Sequence, residues 1–217
     1  MSNWVSRVSG GGLRLAAVLT ALVVLVGPID VVAEGEEAAQ PVTRVEEDWL
    51  LWVHEPNGEL YSPQFHTVLS PVDNLDSFYF QVTWNYHEEP SFVAGGFQVQ
   101  SWNGDEQLEV QDVNKEELSR TAEIITWTQV IETNGTQIGF SVLNGWSASW
   151  GLFGHPDTTI VHNGAVPDLS GYSPDTSVAN SWVTYGRNRV VLLVLRAVRY
   201  YSDGELVAED HTTRYVQ

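Results

Sequence analysis

The chain has 217 residues, with 28 acidic and 10 basic side chains, a formal net charge of −18 and no cysteine. That balance argues against binding to nucleic acid or to an anionic membrane surface, because like charges repel before contact forms. The lack of cysteine excludes disulfides, a thiol nucleophile and a lipid-bearing cysteine, and a chain of this length can build its core without a staple.

Residues 1–33 have the order of a secretory signal peptide. Arg7 and Arg14 supply positive charge, Leu15 to Val26 form an apolar run, Gly27-Pro28 breaks it, and Val31-Val32-Ala33 presents a cleavage site before Glu34. The run is shorter than the roughly 20 apolar residues a membrane-spanning helix needs. Cleavage after Ala33 removes two arginines and one aspartate, which takes the formal charge from −18 to −19. The expected location is secreted, periplasmic or on the cell surface, with no stable membrane insertion after cleavage. Residues 34–47 read as an acidic flexible lead-in, and 48–217 as one β-sandwich domain. Lys115 is the only lysine, and a lysine-poor, acid-rich surface suits a salty environment.

Asp73-Asn74-Leu75-Asp76 gathers hard oxygen ligands in a loop, which makes Asp73, Asn74 and Asp76 a candidate calcium site. The same residue types are favoured in solvated turns, where their side chains bond nearby backbone. No other cofactor is implied. Next comes the clearest strand, Ser77 to Tyr86, in which Phe78, Phe80, Val82, Trp84 and Tyr86 alternate with Ser77, Tyr79, Gln81, Thr83 and Asn85. A period of two gives one buried and one wetter face.

Six Asn-Gly or Asp-Gly pairs, beginning at Asn57, Asn103, Asn134, Asn144, Asn163 and Asp203, supply the positive φ of tight hairpin turns. Three of them join convincing strands: Gly96–Trp102 with Glu106–Val110, Glu123–Thr133 with Thr136–Leu143, and Val190–Ser202 with Glu205–Asp210. The only helical candidate is a turn or two at Lys115–Arg120, capped by Asn114 and answered by Glu117. Val190–Leu195 is apolar on both faces, the mark of a covered central strand. Residues 144–189 are rich in glycine and proline, and a long irregular stretch of that kind is more often functional than accidental. The fold class expected is all-β, an antiparallel two-sheet sandwich or jelly roll.

Catalytic signatures are mostly missing, and no catalytic residue is assigned. Gly145-Trp146-Ser147-Ala148-Ser149 lacks the last glycine of a nucleophile elbow. His87-Glu88-Glu89 lacks the second histidine of a zinc protease, and the six histidines are scattered without ligand spacing. Glu123 and Glu132, nine apart, fall on opposite sides of a regular strand, against the paired carboxylates that glycoside hydrolysis needs.

Aromatic residues carry the main functional signal. Trp84 lies on the apolar face of its strand. Trp102 shares a side with Gln98 and Gln100, opposite Phe97 and Val99, and so lies on a polar face. Trp146 and Trp150, with Phe153, occupy the glycine-rich segment. Exposed rings beside amides hold sugars by covering the apolar face while polar groups take the hydroxyls, although large aromatics in β proteins also pack cores. Arg187, Arg189, Arg196, Arg199 and Arg214 crowd the C-terminal strands, where pairing with carboxylates is expected.

Tyr200-Tyr201-Ser202-Asp203-Gly204-Glu205-Leu206-Val207, with Trp182 on a strand before it, resembles the aromatic-x-Asp-Gly-x-x-Val hairpin of concanavalin-like (laminin-G type) sandwiches. The resemblance covers about the last 40 residues. It implies a curved two-sheet sandwich, often binding carbohydrate and sometimes calcium; the Glu-x-Asp-x-x-Glu pattern of the glucanases of that family is absent. The leading expectation is a non-catalytic sandwich that binds carbohydrate or a surface polymer through Trp102, Trp146, Trp150, Gln98 and Gln100. The alternatives are a cell-surface structural or protein-interaction module, and a glycosidase or polysaccharide lyase.

Overall fold

A computed structural model describes residues 40–54, 63–85, 95–118, 120, 122–156 and 158–217. The signal segment, the lead-in up to residue 39, the Asn57-Gly58 turn and His87-Glu88-Glu89 lie outside the described residues.

The described chain is an antiparallel two-sheet β-sandwich. One sheet holds β1 (Arg44–Val53), β6 (Ile124–Thr133), β7 (Gln137–Ser147), β8 (Gly151–Phe153), β9 (Thr159–Asn163), β11 (Val190–Ser202), β12 (Glu205–Asp210) and β13 (Arg214–Tyr215). Its order is β12-β11-β1-β6-β7-β8, with β13 also pairing β11 and β9 also pairing β7. The second sheet holds β2 (Gln64–Leu69), β3 (Phe78–Trp84), β4 (Gly95–Asn103), β5 (Glu106–Glu117) and β10 (Trp182–Tyr185), in the order β10-β2-β3-β4-β5. The three expected hairpins are β4–β5, β6–β7 and β11–β12. Asp203 and Gly204 at the last of them have φ of 49° and 86°, as a tight turn between twisted strands demands.

Three boundaries differ from the sequence expectation. The first strand starts at Arg44, within the stretch read as a lead-in, because β1 is paired on both edges, by β6 and β11, from its first residue. Lys115–Glu117 is the end of β5 rather than a helix: Gly95 of β4 pairs with Glu117. Sheet pairing wins there over a local helix, since nucleating a one-turn helix is unfavourable on its own. Among the described residues the α-helix is α1 (Pro174–Ala179), with Ser173 at its N-cap position, Pro174 at its start and Asp175 in its first turn.

The core lies between the sheets and is dominated by aromatic rings. Trp49, Trp84 and Trp127 are each at most 2% exposed. Trp84 lies 4.4 Å from Trp127 and 5.6 Å from Phe65, centroid to centroid, and Trp127 stacks on Trp49 at 6.2 Å. Buried indoles need acceptors for their N–H groups, and a polar cluster inside the core provides them. Trp49 Nε1 donates to Glu47 Oε2 at 2.8 Å, Trp84 Nε1 to Thr67 Oγ1 at 3.2 Å, and Trp127 Nε1 to Gln129 Oε1 at 3.4 Å. Gln129 Nε2 donates to Glu47 Oε2 at 3.4 Å, and Thr67 Oγ1 donates to Gln129 Oε1. Tyr172, in the segment between β9 and α1, closes the cluster by donating its hydroxyl to Glu47 Oε1 at 2.7 Å. Desolvation raises the Glu47 carboxyl to about 7.

Candidate functional site

Strand alternation sends Phe65, Phe80, Val82, Trp84, Phe97 and Val99 into the core and their neighbours to the outer face of the five-stranded sheet. The register sets those neighbours in rows. Trp182, His66, Thr83, Gln98 and Asp112 stand side by side across all five strands. Val68, Gln81, Gln100 and Val110 form the next row, and Tyr79 and Trp102 pair in the one after.

These side chains are tied to one another. Trp102 Nε1 donates to Gln100 Oε1 at 2.9 Å, Gln100 Nε2 donates to Gln98 Oε1, and Gln98 Nε2 donates to Asp112 Oδ1 at 2.6 Å. Gln81 Nε2 lies 3.4 Å from Gln100 Oε1 and 3.2 Å from Thr83 Oγ1. His66 bridges Thr83 Oγ1 through Nδ1 at 3.0 Å and Thr184 Oγ1 through Nε2 at 2.7 Å. Trp182 Nε1 also donates to Thr184 Oγ1, at 3.1 Å. Gln98 and Gln100 are 7% exposed, His66 8%, Thr83 3% and Val68 0%, so in those rows, inside β5, the exposed part of the face is carried by Trp182 and, in part, by Gln81, Tyr79 and Trp102. The amides form a floor, and aromatic rings stand at two corners. Tyr79 stacks on Trp102 at 6.2 Å with the planes 5° apart, and His66 stacks on Trp182 at 4.4 Å.

Asp112 puts a carboxylate at the β5 edge of the face, and the four strands inside that edge are electrically plain. The outer residues of β10, β2, β3 and β4 named above carry no formal charge once His66 is neutral, and burial lowers its imidazole to about 4. The chain as a whole has a net charge of −18.

The expected site residues do not all meet. Trp102, Gln98 and Gln100 share this face. Trp146 is on the other sheet, opposite Thr126 of β6, and is 47% exposed. Trp150 packs inward, with its ring 5.4 to 6.2 Å from those of Phe153, Phe97 and Trp84, because the turn between β7 and β8 folds it over the end of the core. Sequence reasoning passed over Tyr79, Gln81, His66, Trp182 and Thr184. For Tyr79 and Gln81 the alternation of β3 already gave the signal. For Trp182 and Thr184 nothing did, because the pairing of β10 with β2 spans more than a hundred residues.

Asp73, Asn74 and Asp76 are exposed, and Asn74 Oδ1 accepts the backbone N–H of Asp76 at 3.0 Å, the geometry of an Asx turn. Among the described residues, no three His, Asp or Glu side chains gather as a metal cage. Ser101 Oγ lies 2.7 Å from His162 Nε2, but Glu109 approaches that same nitrogen at 3.7 Å, and Ser101 is fully buried. A relay through both ring nitrogens, as in a serine-hydrolase triad, is therefore not formed. Arg199 and Arg214 pair with carboxylates, Arg199 with Glu46 and Asp48, Arg214 with Asp175 and Asp210. Arg189 is buried and donates to the carbonyls of His54 and Leu118, while Arg187 and Arg196 are exposed. Among the described residues no helix is long and apolar enough to cross a membrane.

No family model matches the chain, and no curated protein does. Among solved structures, scytalido-glutamic peptidase with a transition state analog inhibitor aligns over 80% of this chain and 82% of that chain, at 12% identity and a TM-score of 0.34. A likeness of that size assigns neither a fold family nor an activity.

Proposed function

We propose that the outer face of the five-stranded sheet binds a neutral, hydroxyl-rich polymer, a carbohydrate above all, without cleaving it. The observation that carries this reading is the uncharged ladder of Gln98, Gln100, Gln81, Thr83 and His66 between two aromatic corners, Tyr79–Trp102 and His66–Trp182. Rings cover the apolar faces of sugars, and pre-ordered amides and hydroxyls meet sugar hydroxyls at little entropic cost. Two corners separated diagonally across four strands favour an extended ligand over a single sugar.

Trp102, Gln98 and Gln100 keep their place in this proposal, joined by Tyr79, Gln81 and Trp182. Trp150 leaves it. Export to the periplasm, the cell surface or the medium remains part of the reading, because polymers of this kind are met there. The concanavalin-like resemblance of the C-terminal hairpin points the same way.

Affinity electrophoresis through gels containing neutral polysaccharides tests the idea. The protein is expected to be retarded by at least one of them, and Trp102→Ala and Trp182→Ala each to restore most of the free mobility. No retardation across a broad panel, or retardation unchanged in both variants, overturns it. Self-association or capture of a protein partner in that negative case would favour the interaction-module alternative.

A further inference from the structure

The outer face of the eight-stranded sheet holds a separate hollow of about 530 Å3. Two irregularities in the sheet build it, at the same level. Trp49 of β1 pairs directly with Trp127 of β6. On one side, Asp48 faces Ala197 while Trp49 faces Leu195, so Arg196 is an extra residue in β11. On the other side, Thr126 faces Trp146 while Thr128 faces Leu143, so Asn144 and Gly145 stand against Trp127 alone. A bulge bends its strand and re-aims a side chain. Here two bulges on opposite sides of one strand pair deliver Arg196 and Asn144 to the same hollow.

Asn144 has φ of 53°, a left-handed conformation that asparagine adopts more readily than most non-glycine residues. Gly145 lies so close to Phe153 that a Cβ would stand 2.3 Å from its ring, which fixes the bulge in place.

The lining has a definite chemistry. Arg199 is committed to Asp48 at 2.5 Å and Glu46 at 3.0 Å. Arg196 is exposed and has no part in those pairs; it acts on Asp48 only at longer range. Thr128 donates its hydroxyl to Asp48 at 2.8 Å and so presents its lone pairs. Thr126 and Asn144 add a hydroxyl and an amide, and His211 completes the lining. Trp146 is not one of the lining residues; it stands on the neighbouring strand directly opposite Thr126, which is one, and has nearly half its surface exposed.

We propose that this hollow binds a uronate, a sugar carrying one carboxylate. Arg196 takes the carboxylate, Asn144, Thr126 and Thr128 meet the hydroxyls, and Trp146 covers the apolar face of the ring. A guanidinium with no salt bridge among the described residues suits a single negative charge, and a fork of N–H donors matches a planar carboxylate. This proposal is independent of the reading of the five-stranded sheet.

Isothermal titration calorimetry with D-galacturonate, D-galactose and acetate separates the alternatives. Galacturonate is expected to bind at least tenfold more tightly than either of the others. Arg196→Ala should weaken it at least tenfold, Arg196→Lys by less, and Trp146→Ala severalfold, while Trp102→Ala leaves it unchanged. Arg196 and Trp146 are exposed, so these variants should keep the wild-type far-ultraviolet dichroism. Absence of galacturonate binding, equal affinity for acetate, indifference to Arg196→Ala, or loss on Trp102→Ala would each overturn the proposal.

Discussion

Glu47 sits on the inner face of β1, fully buried, with its carboxyl among the indole of Trp49, the amide of Gln129 and the hydroxyl of Tyr172. Its folded value of about 7 lies above its ordinary 4.5. The folded state therefore holds a proton that the unfolded state has lost, and stability falls as pH rises from 4.5 through 7. His66 on the outer face is shifted the opposite way, from 6.5 to about 4. There the unfolded chain takes up the proton first, so stability falls as pH drops from 6.5 to about 4. Each effect amounts to as much as about 3 kcal/mol, and over the shared window they oppose each other. Glu47→Gln should remove the first slope: its melting temperature relative to wild type rises steadily between pH 4.5 and pH 7. A difference that stays constant with pH would show that Glu47 titrates as an ordinary carboxyl. Trp84 anchors the same cluster through ring packing and its N–H, so Trp84→Ala should cost about 3–5 kcal/mol in chemical denaturation. Trp146→Ala, at the surface, should stay within about 0.5 kcal/mol. The sequence alternation around Trp84 gave its burial directly. Glu47 read as part of an acidic lead-in: one partner, Trp49, is two residues on, but Gln129 and Tyr172, which enclose the carboxyl, lie 82 and 125 residues away.

Strands and hairpins were the legible elements. A period of two and an Asn-Gly or Asp-Gly pair both act within a few residues, so β3, β4–β5, β6–β7 and β11–β12 could be read from the chain alone. The short helix α1 also left a local trace, Ser173-Pro174-Asp175, a cap-position serine followed by proline and an acid in the first turn. Bulges left none: the extra residue at Arg196 exists only relative to β1, and the one at Asn144 only relative to β6. Asn144 offers a test at this scale. Asn144→Gly should be neutral or nearly so, whereas Asn144→Val should cost on the order of 1–2 kcal/mol, since a β-branched residue resists positive φ. Equal stability of the two variants would mean that the left-handed conformation is not required. The strands also differ in how they are held. β6 is paired on both sides and largely buried, while β12 pairs, among the described residues, only with β11 and is exposed along nearly all its length. Amides of β6 should therefore exchange with solvent only on global unfolding, and those of β12 much earlier.

At the scale of the whole molecule, charge is distributed unevenly. The chain carries −18, yet the central strands of the five-stranded sheet present amides, hydroxyls and rings on their outer face, and the hollow on the opposite sheet gathers Arg196, Arg199 and His211. The two outer faces thus have different chemistries and point away from each other across one core. A neutral ligand on the uncharged face should bind almost independently of ionic strength, changing by less than about twofold up to about 0.5 M salt, because there is little charge there to screen. The identity of the uncharged face depended on pairing of β10 with β2, which no local pattern in the sequence announced. The most direct test of the central claim is to record the side-chain amide and indole resonances while a neutral oligosaccharide, chosen from a polysaccharide that retards the protein, is titrated in. Shifts should fall on Gln81, Gln98, Gln100, Trp102 and Trp182 and leave Trp52 and Trp146 unmoved. Shifts confined to Trp52 and Trp146, or no shifts at a saturating concentration, would contradict it.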